Sequence, residues 1–115
     1  MKEKSKTVLF PMYKYKIHIV KTTDIMLSRN NRSGIIGHEL VMNGGQPEGL
    51  HSYNKDEAEA FIFLEWNSNM GVLCHECYHG ITRLFRWIQA EHEEEVFAYH
   101  LGYLVEQANS LFHKP

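Results

Sequence analysis

The sequence predicts an α+β fold in which a small sheet of about three strands is followed by two helices. In the first part of the chain, short stretches alternate apolar with polar residues, which is the pattern of strands with one solvent-facing side. In the last part, apolar residues recur at helical spacing. The chain has 115 residues, of which 43% are hydrophobic, so we expect one domain, residues 1–115, with a modest core.

The N-terminal part of the chain predicts a flexible segment, one strand and one short helix. Residues 1–11 are rich in lysine and end at a proline, so we expect a flexible start. Residues 13–21 alternate lysine or histidine with tyrosine, isoleucine or valine, which predicts a strand. Thr23-Asp24 can cap a short helix that runs through Asn30, and an irregular segment is an equal alternative. Residues 30–34 predict a turn.

The middle of the chain supplies the other two predicted strands. Residues 38–42 predict a second strand, and residues 43–49 predict a loop because they are rich in glycine, asparagine and proline. Residues 58–66 predict the third strand.

The motif that carries chemistry is His75-Glu76-Cys77-Tyr78-His79, an H-E-x-x-H pattern. On a helix, His75 and His79 lie one turn apart on the same face, so both imidazoles can reach one ion. Neutral imidazole is a good zinc ligand, and Glu76 can take a proton from a zinc-bound water. The motif therefore predicts a Zn²⁺ site with Glu76 as the catalytic base. The alternative is a histidine pair on the polar edge of a helix.

A third ligand is expected from the carboxylate-rich stretch that follows. Glu95 precedes Ala98 and Gly102, whose small side chains would give a second helix a slim face that lets the Glu95 carboxylate approach the metal. The predicted metal ligands are His75, His79 and Glu95. The alternatives for the third position are Glu91, His92 and Glu94. The remaining histidines, His51 among them, show no ligand spacing.

A shared metal requires the chain to reverse its direction between His79 and Glu95. One continuous helix, rising 1.5 Å per residue, would separate these two residues by roughly 24 Å. We therefore predict that the first helix, capped by Ser68 or Asn69, ends around residues 84–88. A loop then runs through about residues 91–93, and the second helix begins just before Glu95.

On these residues the chain resembles the gluzincins, the H-E-x-x-H zinc peptidases whose third ligand is a glutamate on a following helix. The match consists of His75, Glu76 and His79, followed by Glu95 in an E-x-x-A context. The resemblance implies a minimal zincin-like fold, a Zn²⁺ cofactor and hydrolysis of peptide bonds. It also implies that the strand just before the motif, near Phe61–Trp66, lies at an edge of the sheet beside the cleft. A peptide or protein substrate would pair with this edge strand. The alternative is a zincin-like protein-binding module without catalysis, because a short chain leaves little room for a substrate-binding subdomain.

Composition indicates which partners and which cellular location to expect. The net charge is −2, which implies no general attraction to nucleic acid. No apolar run is long enough to span a membrane, and the first residues do not resemble a secretory signal. Two cysteines, Cys74 and Cys77, are too few for a disulfide framework, so we expect buried, reduced thiols in a cytoplasmic protein. A C-x-x-C metal or redox pair is the alternative.

Overall fold

A computed structural model describes residues 1–40, 47–91 and 93–112. These residues form a four-stranded sheet and four α-helices, so the predicted α+β class is confirmed. The strands are β1 (Glu3–Phe10), β2 (Tyr15–Thr22), β3 (Gly49–Tyr53) and β4 (Glu59–Glu65). The helices are α1 (Ile25–Asn30), α2 (Ser33–Ile36), α3 (Met70–Trp87) and α4 (Glu94–Asn109).

The sheet is mixed, with strand order β1-β2-β4-β3. β1 is antiparallel to β2, β2 is parallel to β4, and β4 is antiparallel to β3. β4 is therefore a central strand, and the prediction that it lies at an edge is wrong. The reason is visible in its composition, because every residue from Ala60 to Leu64 is apolar and buried, which is typical of a strand covered on both faces.

The prediction of a flexible start at residues 1–11 is also wrong, because β1 occupies most of that segment. It pairs with β2 along its whole length, from Glu3 opposite Thr22 to Phe10 opposite Tyr15. Within β1 only Val8 and Phe10 are buried. The lysines that suggested a solvated tail lie on an exposed edge strand, where charge opposes edge-to-edge association with other chains.

The second strand of the sequence prediction is displaced along the chain. His38, Glu39 and Leu40 are not in a strand, whereas residues 41–46 lie outside the described residues. The strand that completes the sheet is β3, which begins at Gly49, the last residue of the predicted loop. With β1 and β3 included, the sheet has four strands instead of about three.

Helices cover both faces of the sheet. On one face, α3 and α4 pack against apolar residues of β1, β2 and β4. On the other face, α1 and α2 cover a smaller cluster of Val20, Ile25, Ile36, Phe61 and Phe63. Within the described part of the chain, no helix is both long enough and apolar enough to cross a membrane.

The helix ends follow local signals in the sequence. The Asp24 side chain accepts a hydrogen bond from the Leu27 N–H at 3.1 Å, so the predicted short helix forms with its predicted cap. The Asn69 side chain caps α3 in the same way, by accepting from the Val72 N–H at 2.9 Å. Both caps satisfy backbone donors that the first turn of a helix leaves without partners.

The predicted reversal between the two long helices is confirmed. α3 ends at Trp87, and Gln89 takes a left-handed conformation with φ of 56°. The Ala90 N–H then donates to the Phe85 carbonyl at 3.0 Å, which is the bond of a Schellman cap. α4 begins at Glu94, just before Glu95, as expected from the sequence.

Gly80 sets the distance between α3 and its neighbours. A Cβ at this position would lie 3.0 Å from the Ile62 side chain and 3.4 Å from those of Ile17 and Leu104. Gly102 on α4 is different, because a Cβ there meets no atom within 4 Å. The close contact between α3 and its neighbours therefore depends on Gly80, and not on Gly102.

We expect Gly80→Val to destabilise the fold and Gly102→Ala to stabilise it. Valine at residue 80 must displace neighbouring side chains, and overpacking of this kind costs about 1–3 kcal/mol. Alanine at residue 102 meets no neighbour and has a helix propensity better than that of glycine by about 1 kcal/mol. Urea-induced unfolding of both variants and the parent measures the two changes. A Gly80→Val variant as stable as the parent would contradict this packing.

Candidate functional site

The histidine pair, His75 and His79, lies on the exposed side of α3. The two Nε2 atoms are 3.2 Å apart, and the His75 side chain is 67% exposed. Two nitrogens that bind one tetrahedral zinc ion, at about 2.0–2.1 Å each, are separated by about 3.3 Å. The 3.2 Å separation is that of a hydrogen bond between the two rings, and it is also compatible with two ligands of a single zinc ion.

Glu76 lies beside the histidine pair but is buried between α3 and β3. Its Oε2 atom is 3.9 Å from the His75 Nε2 atom. A Cβ built on Gly49 would be 2.8 Å from the Glu76 Cγ atom and 3.0 Å from its Oε2 atom, so the strand passes directly over the carboxyl group. Burial raises the pKa of Glu76, although nearby His75 and His79 oppose the shift. A carboxyl group with a raised pKa is better matched to proton transfer near neutral pH.

His51 is a third imidazole at the site, and no spacing in the sequence pointed to it. Its ring stacks on that of His79, with centroids 6.0 Å apart and an interplanar angle of 12°. The Nε2 atom of His51 is buried without a hydrogen-bond partner. Burial lowers the pKa of His51 to about 4, with further contributions from the charges of His79 and Arg83. The ring is therefore neutral at physiological pH, the form that binds metal ions.

The register of β3 on α3 explains why His51 meets His79. Alternate residues of β3 face the helix, and each contacts a residue about one helical turn further along. The contacting residues are Gly49 with Glu76, His51 with His79, and Tyr53 with Arg83. No spacing within the sequence links these residues. Only an alternation of apolar and polar residues in β3 could have predicted the contacts, and β3 has little apolar character.

Glu95 lies on a different face of α4 from the one that packs on α3. α4 contacts α3 through Phe97, whose ring centroid is 5.4 Å from that of Tyr78 and 5.1 Å from that of Phe85. Glu95 precedes Phe97 by two positions, which is roughly 200° around the helix. Glu95, Ala98 and Gly102 are all exposed. The slim face expected to approach the metal therefore faces solvent.

The structure brings together two of the three predicted metal ligands. Among the described residues, no group of three or more histidine, cysteine, aspartate or glutamate side chains is arranged to hold a metal ion. Glu95 thus does not complete the histidine pair in this arrangement. Glu91 and Glu94, which the sequence offered in its place, are exposed, and His92 lies outside the described residues.

The two cysteines of the C-x-x-C pattern are free thiols. Cys77 belongs to the core, and burial raises its pKa to about 12. Because the thiolate is the reactive form, a thiol with this pKa is a poor nucleophile at neutral pH. The environment of Cys77 agrees with the predicted core thiol and disfavours a redox pair.

Two depressions lie beside β3. One has a volume of about 480 Å³ and is lined by His75 and Glu76 together with Gly49 and Val72. The other, which we call the β3 cleft, has a volume of about 630 Å³ and is lined by residues 50–56, Arg29 and parts of the segment from Ile36 to Leu40. No described residue of β4 lines the β3 cleft.

No protein-family model, curated protein or solved structure matches the chain. The gluzincin resemblance therefore rests on the motif residues themselves, and function has to be inferred from the chemistry of the site.

We expect His51 to make stability depend on pH between about 6.5 and 4. The unfolded chain takes up a proton on this histidine below about 6.5, whereas the folded chain does so only near pH 4. The free energy of unfolding should therefore fall as the pH is lowered through this window, by an amount on the order of 2–3 kcal/mol. His51→Phe keeps an aromatic ring and removes the titration, so the variant should gain stability relative to the parent at pH 4.

Chemical denaturation at a series of pH values, in the presence of a chelator, measures this difference. The control is His38→Gln, because His38 is an exposed histidine outside the core. Parallel stability curves for the parent and His51→Phe across the whole window would show that the buried ring does not titrate as described.

Proposed function

We propose that the protein is a zinc-dependent metallopeptidase in which Glu76 is the general base. The observation that carries the proposal is the 3.2 Å separation of the His75 and His79 Nε2 atoms beside a buried carboxyl group with a raised pKa. The partner is a peptide or protein substrate. A cytoplasmic location is part of the proposal and is supported by the two free thiols.

The proposed ligands of the zinc ion are His75, His79 and Glu95. The histidine pair is supported by its geometry, whereas Glu95 is supported by the sequence pattern alone. His51 is a second candidate for the third ligand, because it is a neutral imidazole stacked on His79 with a buried, unpartnered nitrogen. Glu91, His92 and Glu94 are the remaining candidates for that position.

When bound, Zn²⁺ would polarise the carbonyl of the peptide bond and lower the pKa of a water molecule. Glu76 would take the proton from that water, and the support for this role is that its Oε2 atom is 3.9 Å from the Nε2 atom of His75. The same carboxyl group would return the proton to the leaving amine. Its raised pKa supports this second step, because Glu76 would hold the proton between the two transfers.

A protein-binding module on the same scaffold is the second candidate function. Its support is a row of exposed apolar side chains on α4, at positions that share one helical face. Val96 is 43% exposed, Tyr99 is 75% exposed and Tyr103 is 47% exposed. Aromatic residues of this kind are enriched at protein interfaces. Measurements of metal content and of peptide cleavage separate the two functions.

We expect the protein to bind one zinc ion per chain and His75→Ala to remove it. Loss of a residue that hydrogen-bonds to a metal ligand weakens metal binding by up to about 100-fold. Loss of a ligand itself should therefore weaken zinc binding by more than this. Elemental analysis and competition with a chromophoric chelator measure stoichiometry and affinity. His38→Ala is the matched control, since it removes an exposed histidine elsewhere. Equal zinc content in the parent and His75→Ala would exclude the site.

The same titration identifies the third ligand. Glu95→Gln should weaken zinc binding, whereas Glu106→Gln, an exposed glutamate further along α4, should not. If Glu95→Gln binds zinc like the parent, then His51→Phe, Glu91→Gln, Glu94→Gln and His92→Ala are compared in the same assay. The variant that loses affinity marks the ligand.

We expect Glu76→Gln to keep the zinc ion and to lose hydrolysis. Glutamine preserves the size of the side chain but cannot accept the proton, so the rate should fall by at least about 100-fold. Cleavage of a mixed peptide library, followed by mass spectrometry, measures the activity, with Glu57→Gln as an exposed control. A Glu76→Gln variant that cleaves as fast as the parent would rule out Glu76 as the base. Zinc binding without cleavage by either protein would favour the binding module.

A further inference from the structure

We propose that Thr7, His18 and Glu59 form a second reactive site, which hydrolyses small carboxylic esters through an acyl group carried on Thr7. We call these three residues the sheet triad. They lie on β1, β2 and β4, away from the histidine pair of α3. The proposal goes beyond the proposed function, because it requires neither zinc nor Glu76.

The first observation is a continuous chain of hydrogen bonds through the sheet triad. The Thr7 Oγ1 atom is 2.8 Å from the His18 Nδ1 atom, and the His18 Nε2 atom is 2.5 Å from the Glu59 Oε2 atom. A carboxylate only accepts hydrogen bonds, so the neutral ring carries its proton on Nε2 and donates it to Glu59. The Nδ1 atom then accepts from the Thr7 hydroxyl group. A nucleophile, a base and an orienting carboxylate follow one another in this way in Ser-His-Asp triads.

The second observation is the strand register that brings the sheet triad together. Thr7 lies directly opposite His18 in the antiparallel pair, and Phe61 lies opposite His18 in the parallel pair. Glu59 precedes Phe61 by two residues, so its side chain is on the same face of β4. The His18 ring stacks on the Phe61 ring, with centroids 4.6 Å apart. The imidazole is therefore held between Thr7 and Glu59 by the sheet itself and not by a loop.

The third observation is the exposure of the sheet triad. Thr7 is exposed, whereas the side chains of His18 and Glu59 are only 20% and 24% exposed. α1 and α2 pack over the part of this sheet face that contains Val20 and Phe63. A small ester can therefore reach the Thr7 hydroxyl group, while the partly buried imidazole and carboxylate keep their positions.

The backbone of Thr7 supplies a donor for the negative charge that develops on the ester oxygen. The Thr23 N–H donates to the Lys2 carbonyl at 3.0 Å, so these two residues form a hydrogen-bonded pair. Such pairs alternate with non-hydrogen-bonded pairs in an antiparallel ladder, and Thr7 follows Lys2 by five positions. The Thr7 N–H therefore points away from β2, and no strand of the described ranges pairs with that edge of β1. This N–H can donate to an oxyanion on an acyl carbon bonded to the Thr7 Oγ1 atom.

Two further side chains on this face suit an ester substrate. Leu9 and Lys16 lie opposite each other in the register of β1 and β2, and Lys16 also lies opposite Glu59 of β4. Leu9 is 50% exposed and offers an apolar surface to a short acyl chain. Lys16 is exposed and contributes positive charge on the face where the oxyanion develops. The substrate class is therefore a carboxylic ester with a short apolar acyl group.

The reaction consists of acylation and hydrolysis. In acylation, the Thr7 Oγ1 atom bonds to the acyl carbon, the His18 Nδ1 atom takes the hydroxyl proton, and the bond to the leaving oxygen breaks. His18 gives the proton to that oxygen, and an alcohol departs. In hydrolysis, His18 takes a proton from water, the water oxygen bonds to the acyl carbon, and the proton returns to Thr7 as the carboxylic acid leaves. Glu59 is a positioning residue, because it holds the ring with Nδ1 directed at Thr7.

The test uses p-nitrophenyl acetate and the full chain, in the presence of a chelator and with acid quenching during the first turnover. We expect an acetyl ester on Thr7, located by peptide mass spectrometry and removed by hydroxylamine, which leaves lysine amides intact. Thr7→Ser should retain the ester, whereas Thr7→Val keeps the shape of the side chain and should lose it. The absence of an acetyl ester on Thr7 at every time point overturns the proposal.

Ser5 provides the matched control for the nucleophile. It is an exposed hydroxyl residue on the same face of β1, but it lies opposite Val20 instead of a histidine. Ser5→Ala should therefore label at Thr7 like the parent. Ester formation on Ser5 as fast as on Thr7 would show that His18 does not activate the hydroxyl group, and this result also overturns the proposal.

The base is tested with His18→Gln, which cannot take the proton, so the rate of Thr7 labelling should fall by at least about 100-fold. His38→Gln removes an exposed histidine elsewhere and should label like the parent. An equal rate in a folded His18→Gln protein overturns the role of His18. Glu59→Gln and Glu59→Asp keep the test decisive if His18→Gln does not fold.

Glu59→Gln should also slow the labelling of Thr7. The glutamine amide can donate to the Nε2 atom of His18, which leaves the ring proton on Nδ1, where it blocks acceptance from Thr7. Glu59→Asp restores the carboxylate and should recover part of the rate, a rescue that depends on the acceptor and not on side-chain size. Equal rates in the parent and Glu59→Gln overturn the positioning role of Glu59.

The outcomes also separate the sheet triad from the proposed peptidase. Labelling of Thr7 that persists in Glu76→Gln with chelator supports the sheet triad, whether or not the protein cleaves peptides. Labelling that requires zinc or Glu76 overturns the sheet triad as a separate site. Peptide cleavage by a Thr7→Val variant at the parent rate would leave the peptidase intact even if no ester forms on Thr7.

Discussion

The close approach of β3 to α3 at Gly49 is the contact on which the candidate site depends. A methyl group at this residue would lie 2.8 Å from both the Glu76 Cγ atom and a Val72 methyl carbon, so only glycine allows the strand and the helix to meet at this distance. The approach buries the Glu76 carboxyl group, and burial raises its pKa. It also brings His51 onto His79. The contact of Gly49 with α3 therefore buries the proposed base, Glu76, and places His51 beside the histidine pair.

The hydrophobic core fixes which way the histidine pair faces. Cys77, Ile81 and Leu84 of α3 are buried against the sheet, and this apolar stripe sets the rotation of the helix about its axis. His75 and His79 each lie two positions from Cys77, which is roughly 200° around the helix, so they are directed outward. The same argument applies to α4, where Phe97, Leu104 and Ala108 are buried and Glu95 is consequently exposed. Core packing therefore directs His75 and His79 outward on α3 and leaves Glu95 on an exposed face of α4.

The features that could be predicted from the sequence are those specified by neighbouring residues. The H-E-x-x-H spacing, the Asn69 cap and the apolar run of β4 are local signals, and each is found where it was expected. β3 could not be predicted in this way, because Gly49–Tyr53 has little apolar alternation and becomes a strand through pairing with β4. The contact of His51 with His79 depends in turn on that pairing. The exposure of Glu95 could not be predicted either, because α4 has a second apolar row, Val96, Tyr99 and Tyr103, that is exposed.

The burial of Glu76 bears on the choice between a peptidase and a binding module. Because the folded state raises the pKa of Glu76, the stability contributed by this group is present at low pH and is lost as the pH rises through the folded pKa. At pH values above the folded pKa of Glu76, burial of the carboxylate therefore lowers the free energy of unfolding relative to a solvated glutamate. A general base needs a carboxyl group that both takes and holds a proton, and burial of the carboxyl group favours its protonated form. The burial of Glu76 is therefore compatible with the proposed role as a base, although buried structural carboxyl groups have raised pKa values for the same reason.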